Sequence, residues 1–157
     1  MTTIVKPISR ACDGCKRCCE GWLPTTIYGK KVNIENPCHF LGTKGCSIYD
    51  VRPHHPCKIY TCEWKTDMNL PEWLKPNKAN VIVTKRKIGD YEYNAIVPAS
   101  LLEVSEKVHI WAEEHAKSKS VNTVIYGTVS GITAIYTSDE SFKKFLGVTI
   151  QNPSFKK

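Results

Sequence analysis

The chain has 157 residues, of which 41% are hydrophobic and 24% charged, a globular balance that fits about one domain and excludes a disordered chain. Its longest apolar runs are three residues, such as Val81–Val83, so no membrane-spanning helix of about 20 apolar residues is encoded. The net charge of +7 is spread, with 9 basic and 5 acidic side chains in residues 1–64 and 13 and 10 in residues 65–157. Nucleic-acid binding, which favours a clustered basic surface, is therefore the weaker expectation, and a protein partner the stronger. The N-terminus, MTTIVKPISRACDG, has no apolar core of a secretory signal, which leads to the expectation of a cytoplasmic protein. Eight cysteines all precede residue 63 and point to a metal or redox site. A tetrathiolate zinc site or a four-iron cluster carries about −2, so one filled site would lower the net charge to about +5.

In chain order, residues 1–11 are predicted as a short strand or arm carrying Ile4, Val5 and Ile8. Residues 12–19, CDGCKRCC, form a cysteine knuckle. Residues 20–36 are predicted as a hairpin turning at Gly29-Lys30, with Ile27 and Tyr28 before the turn and Val32 and Ile34 after it. Residues 38–62 hold the other four cysteines and are punctuated by Gly and Pro, so loop is expected, with one helical turn around Ser47–Val51. A Pro- and Trp-containing connector follows over residues 65–79, with a helical turn at Pro71–Leu74.

The second half contains no cysteine. Residues 80–86 and 91–97 are predicted as a hairpin around Ile88-Gly89-Asp90. Ser100-Leu-Leu-Glu103 has the form of a capping box and predicts a helix of about 17 residues, with Leu101, Val104, Val108, Trp111 and Ala112 on one face. A second hairpin is expected from 121–129 and 132–137. After it come a short helix from Asp139 to Leu146 closed by Gly147, a final strand Val148–Gln151 and a basic tail. The expected fold class is α+β: a loop-rich, metal-organised N-terminal half (residues 1–64), the connector, and a small mainly antiparallel sheet with one long helix (residues 80–157), the last forming a single compact unit with the first.

The cysteines fall into two sets. The first is Cys12-x2-Cys15-x2-Cys18-Cys19, and the second is Cys38-x7-Cys46-x10-Cys57-x4-Cys62. A C-x2-C turn lets two thiolates converge on one metal, and three cysteines at this spacing suit the corners of an iron–sulfur cluster or a structural zinc site. Adjacent Cys18 and Cys19 send their side chains in different directions and are expected to serve different atoms or different sites. Eight thiols equal two sites of four, or one site with spectators. A disulfide framework or a mobile thiol–disulfide pair is the alternative, but CxxCxxCC crowds four thiols into eight residues, which suits a shared metal better.

CDGCKRCC followed by CHFLGTKGCSIYDVRPHHPCKIYTC resembles the CxxCxxCC family of zinc- or iron-chelating proteins, the YkgJ-like cysteine-cluster family. The positions that carry the resemblance are Cys12, Cys15, Cys18 and Cys19, then Cys38 and Leu41, Gly45, Cys46, Ile48 and Tyr49, Arg52 and Pro53, and finally Cys57 and Cys62. They span residues 12–64, and His54-His55-Pro56 is a local departure. The resemblance implies a metal centre with all eight cysteines as candidate ligands. The family includes a flagellin lysine N-methylase associated with an iron–sulfur cluster and S-adenosylmethionine. This raises an iron–sulfur cluster (4Fe–4S) above zinc, and with it a role in electron transfer or redox sensing. A structural zinc module that docks a protein or nucleic acid is one alternative. A methyltransferase-like member using S-adenosylmethionine is another, although the chain has no Gly-rich strand-to-helix loop for that cofactor and no C-x3-C-x2-C triad.

Around the cysteines, Arg52 is the candidate to donate hydrogen bonds to cluster sulfurs, the alternative being a loop-fixing contact to a backbone carbonyl. Tyr49 and Tyr60 are expected to pack around the site, and Trp22, Trp64 and Trp73 to cover it or fill the core. His39, His54 and His55 are minor alternatives to thiolate ligands. His109 and His115, six apart on the long helix, are expected to be ordinary helix residues. No Ser-His-Asp, P-loop or Rossmann signal is present, so no catalytic residue is assigned.

Overall fold

The computed structural model describes residues 10, 12, 14–60, 62–127 and 131–151, the last five through their backbone alone. Apart from Arg10, the expected N-terminal strand and the basic tail lie outside these residues. The fold is α+β, and the chain divides into two compact units, Met1–Ile82 and Val83–Lys157.

The first unit begins with a hairpin. Strands β1 (Thr25–Ile27) and β2 (Lys30–Val32) pair antiparallel, with Thr25 opposite Val32 and Ile27 opposite Lys30. The turn is Tyr28-Gly29, one residue earlier than expected, with both residues at positive φ (48° and 76°), as the right-handed twist of a two-residue hairpin requires. Ile27 and Val32 fall on the same face and are buried. Ile34 was expected to continue the alternation but is 50% exposed. The strand ends before it because the Asn33 side chain accepts the N–H groups of Glu35 and Asn36 and turns the backbone.

The stretch expected to be loop contains a second, minimal hairpin, β3 (Leu41–Gly42) with β4 (Gly45–Cys46), placing Cys46 opposite Leu41. Strands of two residues are too short to show an alternation in sequence. The expected helical turn appears as a 3-10 turn at Tyr49–Val51. After Cys62 come α1 (Glu63–Thr66), a 3-10 turn at Glu72–Leu74 and α2 (Pro76–Ala79). Pro76 sits in the first turn of α2, where its missing N–H costs nothing. Residues 65–79 belong to the first unit and bury Leu70 and Leu74.

In the second unit the sheet order is β5 (Val81–Ile88), β6 (Tyr91–Pro98), β7 (Thr123–Tyr126), β8 (Ile132–Tyr136), and β5 begins with the last two residues of the first unit. β7 and β8 are antiparallel, but β6 and β7 run parallel, with Ile96 opposite Ile125. The sheet is thus mainly antiparallel, as expected, with one parallel pair. A long helix carries the chain back to the same end of the sheet, and a strand entered that way joins its neighbour in parallel. That helix, α3, spans Glu106–Lys119 and packs on β7 and β8.

α3 starts later than the capping box predicted. Its N-cap is Ser105, whose hydroxyl accepts the Val108 N–H, whereas Ser100 caps only a local turn through Leu102 N–H. Leu101 and Leu102 stay exposed at 78% and 69%, and the buried stripe is Val108, Ala112 and Ala116. Tertiary packing of that i, i+4 stripe outweighs a local signal of about 1 kcal/mol.

The last helix, α4, runs Glu140–Gln151 and so replaces the expected Gly147 stop and the strand Val148–Gln151. One glycine inside a helix costs about 1 kcal/mol relative to alanine, which does not end a helix already begun on a good cap. The cap is Asp139, whose carboxylate accepts the backbone N–H groups of Ser141 and Phe142 and the Ser141 hydroxyl. Phe142 and Leu146 of α4 pack with Tyr93, Ala95 and Val124 on one sheet face. By strand alternation, Ile96 and Ile125 point to the other face and are fully buried. No helix among the described residues is long and apolar enough to cross a membrane.

The Asp139 cap carries a pH prediction. The Ser141 hydroxyl and the Phe142 N–H hold the Asp139 carboxyl below its ordinary value of 3.8. A depressed folded value means that the stabilisation is present above the unfolded value and is lost as pH falls through the folded one. Acidification from about pH 5 to about pH 2 is expected to loosen α4. Asp139→Asn, whose neutral oxygen still caps, is expected to flatten that dependence. Helical circular dichroism against pH checks this, and superimposable curves for the two proteins would remove the ionised cap from the account.

Candidate metal centre

The first cysteines are placed by tight turns. Cys15 N–H donates to the Cys12 carbonyl at 2.6 Å, with Gly14 at φ 73° between them. A wide turn over Cys18–Trp22 follows, with Glu20 N–H on the Lys16 carbonyl at 2.9 Å. Gly21 in that turn has φ 94°, and a Cβ there would lie 2.1 Å from the Asn33 carbonyl. Only glycine allows the cysteine turn to sit this close to the end of β2. Lys16 Nζ donates to the Thr43 carbonyl at the tip of the β3–β4 hairpin. Arg17 pairs with Glu20 (3.6 Å) and donates to Asn80 Oδ1 (3.1 Å) at the end of α2.

The later cysteines come from the segments that surround this turn. Cys38 N–H donates to the Cys19 carbonyl at 2.8 Å, and Leu41 N–H to the Cys38 carbonyl at 2.9 Å. Cys38 is buried with Ile27 and Val32, and Cys19, Phe40 and Cys57 pack against this cluster. Cys57 lies in a turn over His54–Lys58, and Cys62 is the residue that starts α1.

Sequence reasoning missed the device that brings the two ends of the cysteine region together. Arg10 N–H donates to the Lys65 carbonyl at 3.1 Å. The Arg10 guanidinium donates to the carbonyls of Trp64 (2.9 Å) and Leu70 (2.7 Å) and also pairs with Glu72 at 3.5 Å. It lies 4.8 Å from the centroid of the buried Trp64 ring, with Lys75 Nζ 5.4 Å from the same centroid. The chain two residues before Cys12 is thereby tied to the helix that starts one residue after Cys62. An arginine two positions ahead of a CxxC turn has no local pattern that marks it.

All eight cysteines are free thiols. Burial and neighbouring sulfurs act on four of them. Burial pushes the Cys18 thiol far up, and Cys62, Cys15, Cys19 and Cys12 push the same way. Burial pushes Cys19 to about 12, helped by Cys46, Cys38, Cys57 and, least, Cys12. Cys57 is raised by burial and then by Cys38 and Cys46, with Arg52 opposing. Cys62 is raised to about 11 by burial, with the backbone N–H groups of Trp64 and Lys65 opposing and Cys15 and Cys12 adding to the rise. Among the described residues, no three Cys, His, Asp or Glu side chains close in to the geometry of a formed metal site. The thiols are neighbours rather than assembled ligands.

Two buried N–H groups in the first unit have no acceptor, Arg17 Nε and Trp64 Nε1. A buried donor without a partner costs about 1–3 kcal/mol, and sulfur is an acceptor it can use. A thiol-only donor set is the kind that suits a thiolate-bound metal or cluster.

Arg52 makes the loop-fixing contact: it donates to the Tyr49 carbonyl and stacks 4.0 Å over the Tyr49 ring, and its charge also acts on Cys57. Tyr49 Oη accepts from Lys65 Nζ. His39, His54 and His55 are exposed, with His39 against Phe40. In the second unit, His109 Nδ1 meets Tyr136 Oη at 3.1 Å and His115 stacks on Trp111.

The geometry defines a free-thiol cysteine cluster built on short hairpins and turns. No protein-family model, characterised protein or solved structure matches the chain.

Arg10→Ala removes two charge-assisted hydrogen bonds from a largely buried guanidinium and is expected to destabilise the first unit by about 3 kcal/mol. Arg10→Lys is expected to recover only part of this, because one ammonium lacks the fork that reaches both carbonyls. Urea unfolding followed by tryptophan fluorescence measures the difference. A loss below about 0.5 kcal/mol would mean that the tie does not hold the cysteine region together.

Proposed function

We propose that the protein is an iron–sulfur protein whose cysteines in residues 12–62 hold a 4Fe–4S-type centre, used in electron transfer or redox sensing. The observation that carries the reading is the gathering of eight free thiols from separate turns and hairpins into one unit, with Cys18, Cys19, Cys57 and Cys62 each crowded by other sulfurs. As bare thiolates these groups repel one another, whereas a cation among them turns each repulsive neighbour into a fellow ligand. The resemblance of residues 12–64 to the CxxCxxCC family points the same way.

The chain's own residues have definable tasks in this reading. The cysteines give up their protons on binding, so metal affinity falls on acidification. Arg52 holds the 49–52 loop and places a positive charge near Cys57. Arg10 and Gly21 fix the approach of the segments that carry the ligands. When bound, a 4Fe–4S centre supplies one-electron chemistry at a potential set by charge, hydrogen bonding and exposure.

Iron, zinc and acid-labile sulfide are measured on anaerobically purified protein, together with the visible spectrum. Iron and sulfide in near-equal amounts with a broad visible charge-transfer band are expected. Cys15→Ala and Cys18→Ala are expected to lose metal and the cooperative unfolding of residues 12–62. A colourless protein with stoichiometric zinc would replace the cluster by a structural zinc site, and protein without either metal would overturn the thiolate–metal reading altogether.

A further inference from the structure

We infer that the first unit carries a phosphate-binding site formed by Tyr49, Arg52 and Lys65, which takes inorganic phosphate or the phosphoryl group of a small phosphomonoester. No cysteine is among its donors, so it stands apart from the thiolate–metal reading.

The three side chains meet at one exposed phenol. Tyr49 opens the 3-10 turn Tyr49–Val51 and is 43% exposed. The Arg52 guanidinium lies over its ring face, 4.0 Å from the centroid, and is held there by donating one N–H to the Tyr49 carbonyl. Lys65 comes from α1, and its Nζ donates to Tyr49 Oη at 3.1 Å. That ammonium is 5.8 Å from the ring centroid, so it sits beyond the hydroxyl and off the face.

Two like charges thus stand on one aromatic ring. Among the described residues neither pairs with a carboxylate, exposed Asp50 included. Distances of 4.0 and 5.8 Å at a right angle put the charges about 7 Å apart, where they repel each other. An anion between them turns that repulsion into two attractions, and one oxyanion reaches both with N–H···O bonds of about 2.9 Å.

The remaining donors fit phosphate. Arg52 uses one N–H on the carbonyl and keeps the rest of its fork. Lys65 uses one N–H on Tyr49 Oη, and the phenol, acting as acceptor there, keeps its own proton to donate. These donors approach from over the ring, from the hydroxyl and from beyond it. A phosphate group presents its oxygens tetrahedrally and meets all three directions, whereas a carboxylate is planar and offers two oxygens. The site is also fixed before a ligand arrives, which lowers the ordering cost of binding. Arg52 is anchored to its own loop. The Lys65 N–H donates to the Cys62 carbonyl at 3.0 Å, and the Lys65 carbonyl accepts the Arg10 N–H at 3.1 Å. Exposure of the phenol leaves the site open to a small solute and makes the attraction sensitive to salt.

The test is calorimetric titration of the purified protein at low ionic strength with inorganic phosphate, glycerol 3-phosphate and acetate. Saturable binding of phosphate is expected, weakening as NaCl is raised, with acetate at least about tenfold weaker. Lys65→Gln is expected to weaken phosphate binding about fivefold and Tyr49→Phe about threefold, without change in the urea unfolding midpoint. A check independent of variant folding is acetylation of the wild-type lysines, mapped by peptide mass spectrometry. Added phosphate is expected to protect Lys65 more than exposed Lys30 and Lys44. Glycerol 3-phosphate binding as tightly as phosphate assigns the site to phosphomonoesters, and weaker binding of the ester assigns it to the free ion. No saturable phosphate binding, acetate binding as tightly, unchanged affinity in Lys65→Gln, or no preferential protection of Lys65 would each overturn the site. Metal content is read separately, so none of these results bears on the thiolate–metal reading.

Discussion

The burial of crowded thiols is the constraint on which the first unit turns. Eight thiols are drawn into one unit by turns and hairpins, and burial and mutual proximity push Cys18, Cys19, Cys57 and Cys62 towards the neutral form. Such crowding is unfavourable for charged groups unless a cation shares them. Apolar burial is too thin here to account for the gathering. Among the described residues it amounts to Ile27 and Val32 with Cys38, and to Trp64, Leu70, Leu74, Val81 and Ile82. Small loop-rich units of this kind normally draw their stability from cross-links or bound metal.

The scaffold compensates with polar ties between distant stretches of backbone. Arg10 spans more than fifty residues to reach the carbonyls of Trp64 and Leu70. Lys16 reaches the tip of the second hairpin, and Arg17 reaches the end of α2. Gly21 lets two backbones approach where no side chain fits. Each contact fixes a segment that carries a cysteine, so the arrangement of the thiols is built mainly from hydrogen bonds to main-chain carbonyls. The second unit follows a different physical plan. Its sheet has fully buried residues on both faces, with α4 packed on one of them and α3 against β7 and β8, and it needs no cysteine.

The candidate site was legible in the chain because CxxC spacing is local chemistry: the residues, their number and their crowding into eight positions can all be read directly. The 25–32 hairpin, the Tyr49–Val51 turn and the second unit's hairpins were legible for the same reason, since turn residues and two-residue alternation act over short range. Misreadings arose where a local signal competed with packing. Ser100-x-x-Glu103 lost to the Val108, Ala112, Ala116 stripe, and Gly147 failed to stop a helix already capped by Asp139.

What the sequence by itself determined is the inventory: eight thiols confined to the first half, two of them adjacent at Cys18-Cys19, and a cysteine-free second half. Only the tertiary structure decided which sulfurs are neighbours, that β6 and β7 run parallel, and that Arg10 closes the cysteine region. The physical reason is distance along the chain. Spacing governs how residues within a turn converge, but Cys12 meets Cys62 and Cys19 meets Cys38 only through contacts between segments whose separation no local preference encodes.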